Sequence, residues 1–173
     1  MLDKTSEQVY NRIVKRKKEE LKMSKKTIVY LDMDGTIFDL YGQENWLAEL
    51  KAENEKVFSG DRRIITEETL RKIFPEDKYD VRILTMTPLG ATEDYCLKVI
   101  NEKNKWLNEY FPSIKKRIFK KYGHNKNLRG SENAILVDDS EPIRNSWRGV
   151  ALNPSTLWGW VLFSFQFSFQ NHF

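Results

Sequence analysis

Short apolar runs alternate with helical patterns through most of the chain, and the runs end in polar residues. TIVYL at 27–31 is continuous and rich in β-branched residues, the pattern of a strand buried on both faces of a parallel sheet. VRILT at 81–85 and NAILVDD at 133–139 read the same way. KRIFKK at 116–121 and GVALNP at 149–154 add two shorter strands, the second stopped by Asn153-Pro154. Between the first two runs, ENWLAELKAENEKVF has apolar residues at helical spacing, and Thr66-Glu67-Glu68-Thr69 predicts a helix start before LRKIF and the break at Pro75. Residues 91–110 predict a long helix with Tyr95, Val99, Trp106 and Leu107 near one face, closed by Pro112. Strands alternating with helices predict an α/β fold with a doubly wound, Rossmann-like parallel sheet.

Such sheets bind ligands beyond the carboxyl ends of their strands. The chemistry-bearing residues of this chain fall there: Asp32 and Asp34 after the first strand, Thr85 and Thr87 after the second, Asp138 and Asp139 after the strand at 133–139. In DMDGT two carboxylates stand two residues apart, and their mutual repulsion calls for a divalent cation. Oxygen ligands alone favour Mg²⁺, while two histidines (His124, His172) and one cysteine (Cys96) make a zinc site unexpected. An EF-hand loop is also not expected, for want of a third acidic position before the glycine and of flanking helices. Gly35 permits a sharp turn that can face amide groups, Met33 among their neighbours, toward a phosphoryl oxygen. The Thr85 hydroxyl, beside Met86 and Thr87, is a candidate for another such oxygen, and Lys126 in YGHNKN is the best-placed balancing cation, with Lys120 and Lys121 as alternatives.

DMDGT after a hydrophobic strand, ILT at a second strand end, a loop lysine and ILVDD together resemble the four motifs of the haloacid dehalogenase superfamily. EKNKWLNEYFP and the short HNK-to-ILVDD interval are similar to its 5'(3')-deoxyribonucleotidase group, over about residues 27–153. The resemblance implies a phosphatase acting through a phosphoaspartate, with Asp32 as nucleophile and Asp34 as acid and base. It implies Mg²⁺ held by Asp32, the Asp34 carbonyl and Asp138, with Asp139 near the metal or Lys126. It also implies that the helical stretch at about 39–80 is a small cap over the site. The substrate expected is a small phosphate monoester, first a (deoxy)nucleoside monophosphate, with a sugar phosphate or a nucleic-acid end as alternatives.

Charge and composition refine this picture. The net charge is +4, but residues 1–26 hold nine basic against four acidic residues, so the remainder carries −1. Basicity confined to a leader argues against a nucleic-acid-binding face, although a catalytically idle scaffold docking through that leader is the alternative of another class. The expected organisation is a basic helical leader at 1–24, a core at 25–154 with the cap inserted, and an aromatic tail at 155–173. Phe163, Phe165, Phe167 and Phe169 alternate with Ser and Gln, the period of a half-buried edge strand or of a pairing surface for a second copy of the chain. A single cysteine excludes an intramolecular disulfide, and with no signal-like or bilayer-spanning run the expectation is a cytoplasmic protein without membrane contact.

Overall fold

A computed structural model describes residues 26–159. Its centre is a five-stranded, all-parallel sheet of order β3-β2-β1-β4-β5, formed by β1 (Thr27–Leu31), β2 (Tyr79–Met86), β3 (Arg117–Lys120), β4 (Ala134–Val137) and β5 (Val150–Leu152). Helices flank it: α1 (Trp46–Lys51), α2 (Glu67–Ile73), α3 (Glu93–Tyr110) and α4 (Glu141–Ser146). The expected Rossmann-like α/β sheet is therefore present. No helix among the described residues is long and apolar enough to cross a membrane.

The apolar runs work as strands because their side chains divide between two faces. Val29 and Leu31 of β1, Val81 and Ile83 of β2 and Val137 of β4 enter the larger core, where α3 supplies Tyr95, Val99, Trp106 and Leu107. Tyr30, Leu84 and Leu136 face the other way, around Trp147. Leu31 pairs with Ile83 on one side and with Val137 on the other, so the central strand ends level with β4. The chain leaves β1 toward β2 and β3, then crosses to β4. The crevice between β1 and β4 is thus the switch point at which open parallel sheets bind ligands.

Helix starts follow the sequence. The Thr92 hydroxyl accepts the Tyr95 amide at 3.2 Å and opens α3. The Thr66 hydroxyl accepts the Thr69 amide at 3.1 Å and opens α2. The insertion between β1 and β2 is not a free-standing lid. Its Leu40, Val57, Phe58, Ile65, Leu70 and Phe74 share the larger core. A row of polar contacts also fastens it to α3: Lys56 to Glu102 at 3.2 Å, the Tyr95 hydroxyl to the Asn54 carbonyl at 3.3 Å, and the Trp106 indole to the Gly60 carbonyl at 2.9 Å.

Residues 154–159, at the start of the aromatic tail, are helical. Asn153-Pro154, which stops β5, also starts this turn: the Asn153 side chain accepts the Ser155 amide at 3.0 Å, and proline suits a first helical position. The turn buries Trp158 in the larger core, with its indole donating to the Thr36 carbonyl at 3.0 Å. The leader at 1–24 and the alternating phenylalanines from Phe163 to Phe169 lie outside the described residues. Trp158→Ala is expected to cost on the order of 3–5 kcal/mol in denaturant unfolding, through lost burial and a cavity beneath the DMDGT loop. A cost below about 1 kcal/mol would contradict this docking.

Candidate active site

The register that levels β1 with β4 sets Asp32 beside Asp138, one residue beyond each strand. Backbone bonds hold both in line: the Asp32 amide donates to Val137 at 2.9 Å and the Asp138 amide to Leu152 at 3.2 Å. Asp138 is then locked by its own turn, its Oδ1 accepting the Ser140 amide at 2.9 Å. Arg144 of α4 donates to the carbonyls of Asp138 and Asp139 at 2.8 and 2.6 Å, fixing the segment from behind. One carboxylate oxygen each from Asp32, Asp138 and Asp139 lies within 4.8 Å of the other two.

Gly35 makes this approach possible. Its φ of +74° lies in the left-handed region, and a Cβ there would stand 2.5 Å from an Asp139 carboxylate oxygen and 2.6 Å from the Tyr41 ring. Glycine at this position therefore has a steric cause, while its own amide donates to the Phe38 carbonyl at 2.8 Å within the loop. The Met33 side chain is buried in the core, and its carbonyl accepts the amides of Thr36, Ile37 and Phe38, which closes the loop.

Two buried lysines compensate the carboxylates. Lys126 donates to Asp32 Oδ1 and to Asp138 Oδ2, both at 2.7 Å. Among its two rivals, Lys120 reaches the Asn125 carbonyl at 2.8 Å and Lys121 lies 3.8 Å from Glu93. The loop itself makes the choice. The Asn125 side chain accepts the Asn127 amide at 2.7 Å, and Asn127 is tied to the Ser146 carbonyl at 2.7 Å and the Arg148 amide at 3.0 Å, which turns Lys126 inward.

Lys103 of α3 was not anticipated. Its side chain is fully buried and donates to Asp34 Oδ2 at 2.5 Å, Thr85 Oγ1 at 3.1 Å and the Met86 carbonyl at 2.9 Å. The Phe58 ring lies over its ammonium, 4.7 Å away. A signal for it exists in the sequence: Lys103 falls four residues after Val99, in register with Tyr95 and near Trp106, so a charge occupies a core position of an amphipathic helix.

The other expected residues divide. Thr85 is fully buried at the crevice and accepts from Lys103, so its own proton remains to be donated. Thr87 turns away, its amide and hydroxyl both directed at the Lys120 carbonyl at 2.8 and 3.5 Å. Asp34 gives Oδ2 to Lys103, while its buried Oδ1 has no hydrogen-bond partner among the described residues. Asp34 thus stands outside the trio of converging side chains, and its expected route to a cation is its backbone carbonyl. Tyr41, also unanticipated, is half exposed beside Gly35 and meets Trp46 edge to face at 5.1 Å. Burial, and then the charges of Asp139, Asp34 and Asp32, raise its phenol above the ordinary value.

No protein-family model matches the chain, and no curated protein matches it.

Four carboxylates face two ammonium groups, and the titration of the site reflects that deficit. Burial first, then the Asp32 charge, pushes Asp138 up to about 6 and Asp139 up to about 7. Asp34 is likewise raised by burial, against the pull of Lys103. Burial alone would lower Lys126, but Asp32 and Asp138 outweigh it and hold the ammonium above its ordinary value. An oxygen-only donor set and unbalanced negative charge fit a hard divalent cation.

The sign of the pH effect follows. Asp138 and Asp139 keep their protons in the folded protein at pH values where the unfolded chain has lost them. The stability they contribute is whole below the ordinary carboxylate value of 3.8 and is lost as pH rises through about 6 and 7. A cation needs the ionised forms, so Mg²⁺ is expected to raise the melting temperature more at pH 7.5 than at pH 5. Thermal melts with and without Mg²⁺ check this, and an equal shift at both pH values would contradict it.

Proposed function

We propose that the chain is a Mg²⁺-dependent phosphatase of the haloacid dehalogenase type, which hydrolyses a phosphate monoester through a phosphoaspartate at Asp32. The observation that carries the reading is the meeting of Asp32, Asp138 and Asp139 at the β1–β4 switch point, with Lys126 bridging the first two.

Asp32 Oδ1 is held by Lys126, which leaves Oδ2 to attack phosphorus. The new Oδ2–P bond forms as the bond from phosphorus to the ester oxygen breaks. Asp34 Oδ1, without a partner among the described residues, gives its proton to the departing oxygen. In the second step the same oxygen takes a proton from water, whose oxygen attacks phosphorus. The Oδ2–P bond breaks, and inorganic phosphate and the free carboxylate result. Lys126 has two acceptors among the described residues, so its ammonium keeps one N–H for a phosphoryl oxygen, and the Thr85 hydroxyl offers a second donor. Asp32, Asp138 and Asp139, with the Asp34 carbonyl, would hold Mg²⁺, which would supply further neutralisation of the phosphoryl charge.

A (deoxy)nucleoside monophosphate is the favoured substrate. The half-exposed ring of Tyr41 beside the crevice gives a flat, aromatic surface suited to a nucleobase. Inorganic phosphate release with Mg²⁺ should be faster from deoxynucleoside monophosphates than from sugar phosphates. Asp32→Asn should lower it by at least about 10³-fold, because the chemical step loses its nucleophile. The wild type should also take a hydroxylamine-sensitive phosphoryl label that the variant does not. Activity surviving Asp32→Asn would remove this mechanism.

A further inference from the structure

Lys103 is a charge in the wrong place for packing. It stands on the apolar stripe of α3 with no exposed surface, among Tyr95, Val99, Trp106 and Leu107. Burying an ammonium there is costly, and a leucine or methionine would pack the same stripe without that cost. What the ammonium gains is contact with the site. Its three N–H groups are matched by three acceptors, Asp34 Oδ2, Thr85 Oγ1 and the Met86 carbonyl. It has no donor left for a phosphate and no surface to offer one. Lys126 differs, with two acceptors among the described residues and one N–H to spare.

From this geometry we propose that Lys103 is a positioning residue for proton transfer, one that fixes which oxygen of Asp34 exchanges the proton. The inference rests on the phosphatase reading given above. With Oδ2 engaged by the ammonium, a proton on Asp34 sits on Oδ1, the atom without a partner among the described residues. The carboxyl plane is set at the same time, because Lys103 is itself held by two acceptors from the end of β2. The insertion completes the arrangement: the Phe58 ring covers the ammonium, and Lys56 grips the neighbouring Glu102 of α3 at 3.2 Å. The insertion thereby contributes to aiming the acid as well as covering the crevice.

The two leaving-group extremes read this role directly. An alkyl oxygen leaves only with a proton, whereas 2,4-dinitrophenolate leaves without one. In Lys103→Met, kcat/KM for a nucleoside 5'-monophosphate should fall at least about 30-fold, toward the lower end of what general acid catalysis supplies. For 2,4-dinitrophenyl phosphate it should fall less than about threefold, since the nucleophile and its lysine are untouched. Should Lys103→Met fail to melt cooperatively, Lys103→Arg carries the test and should show a split of the same sense, smaller because the charge is kept. Equal losses on both substrates, or none on either, in a wild-type-active enzyme would overturn the positioning role and leave the phosphatase reading standing. A wild type that releases phosphate from neither substrate with Mg²⁺ overturns both.

Discussion

Negative charge gathered at the carboxyl ends of two interior strands is the constraint on which the rest of the structure depends. Strand register makes it unavoidable: once β1 pairs with β4 so that Leu31 meets Val137, Asp32 and Asp138 are neighbours at the same end of the sheet. The left-handed turn at Gly35 then admits Asp139 as a third. Carboxylates this close and this buried repel and lose hydration, and each needs a cation or a proton. The fold supplies Lys126 from the loop before β4 and Lys103 from α3. Two ammonium groups leave the four carboxylates under-compensated, which is what makes a divalent cation the fitting partner.

The lysines differ in reach, and on the proposed reading they divide the labour. On that reading Lys126 lies between the nucleophile and the metal-side carboxylate, with two acceptors among the described residues. Lys103 lies behind Asp34, fully engaged, and ties that carboxylate to the second strand end, to α3 and through Phe58 to the insertion. A segment that looks like a separate cap in the chain is therefore part of the same core as the sheet and α3. At its start Tyr41 meets Trp46 edge to face.

Much of this was legible in the sequence because the strands are short, apolar and ended by carboxylates. The doubly wound sheet, the long helix at 91–110 and the convergence of Asp32 with Asp138 and Asp139 all follow from that pattern. What stayed hidden was decided by tertiary contacts. The sequence favoured Lys126 over Lys120 and Lys121 without excluding them, and it is the anchoring of Asn127 on the end of α4 and on Arg148 that turns Lys126 inward. Thr85 lies within β2 and meets Lys103, whereas Thr87 lies one residue past the end of the strand and is spent on the Lys120 carbonyl of β3. Lys103 is hard to single out in the sequence because a lysine on a helix is ordinarily solvated, although its place on the apolar stripe is the signal of its burial. Asn153-Pro154 ends a strand and begins a helix with equal propriety, so the fate of residues 154–159 could not be read locally.

The most direct test of the central claim is the stoichiometry of divalent cation binding, measured by electron paramagnetic resonance titration of Mn²⁺ at pH 7.5. The account predicts one Mn²⁺ per chain, displaced by Mg²⁺ and lost in Asp138→Asn. No bound ion, or binding that Asp138→Asn leaves unchanged, would contradict it.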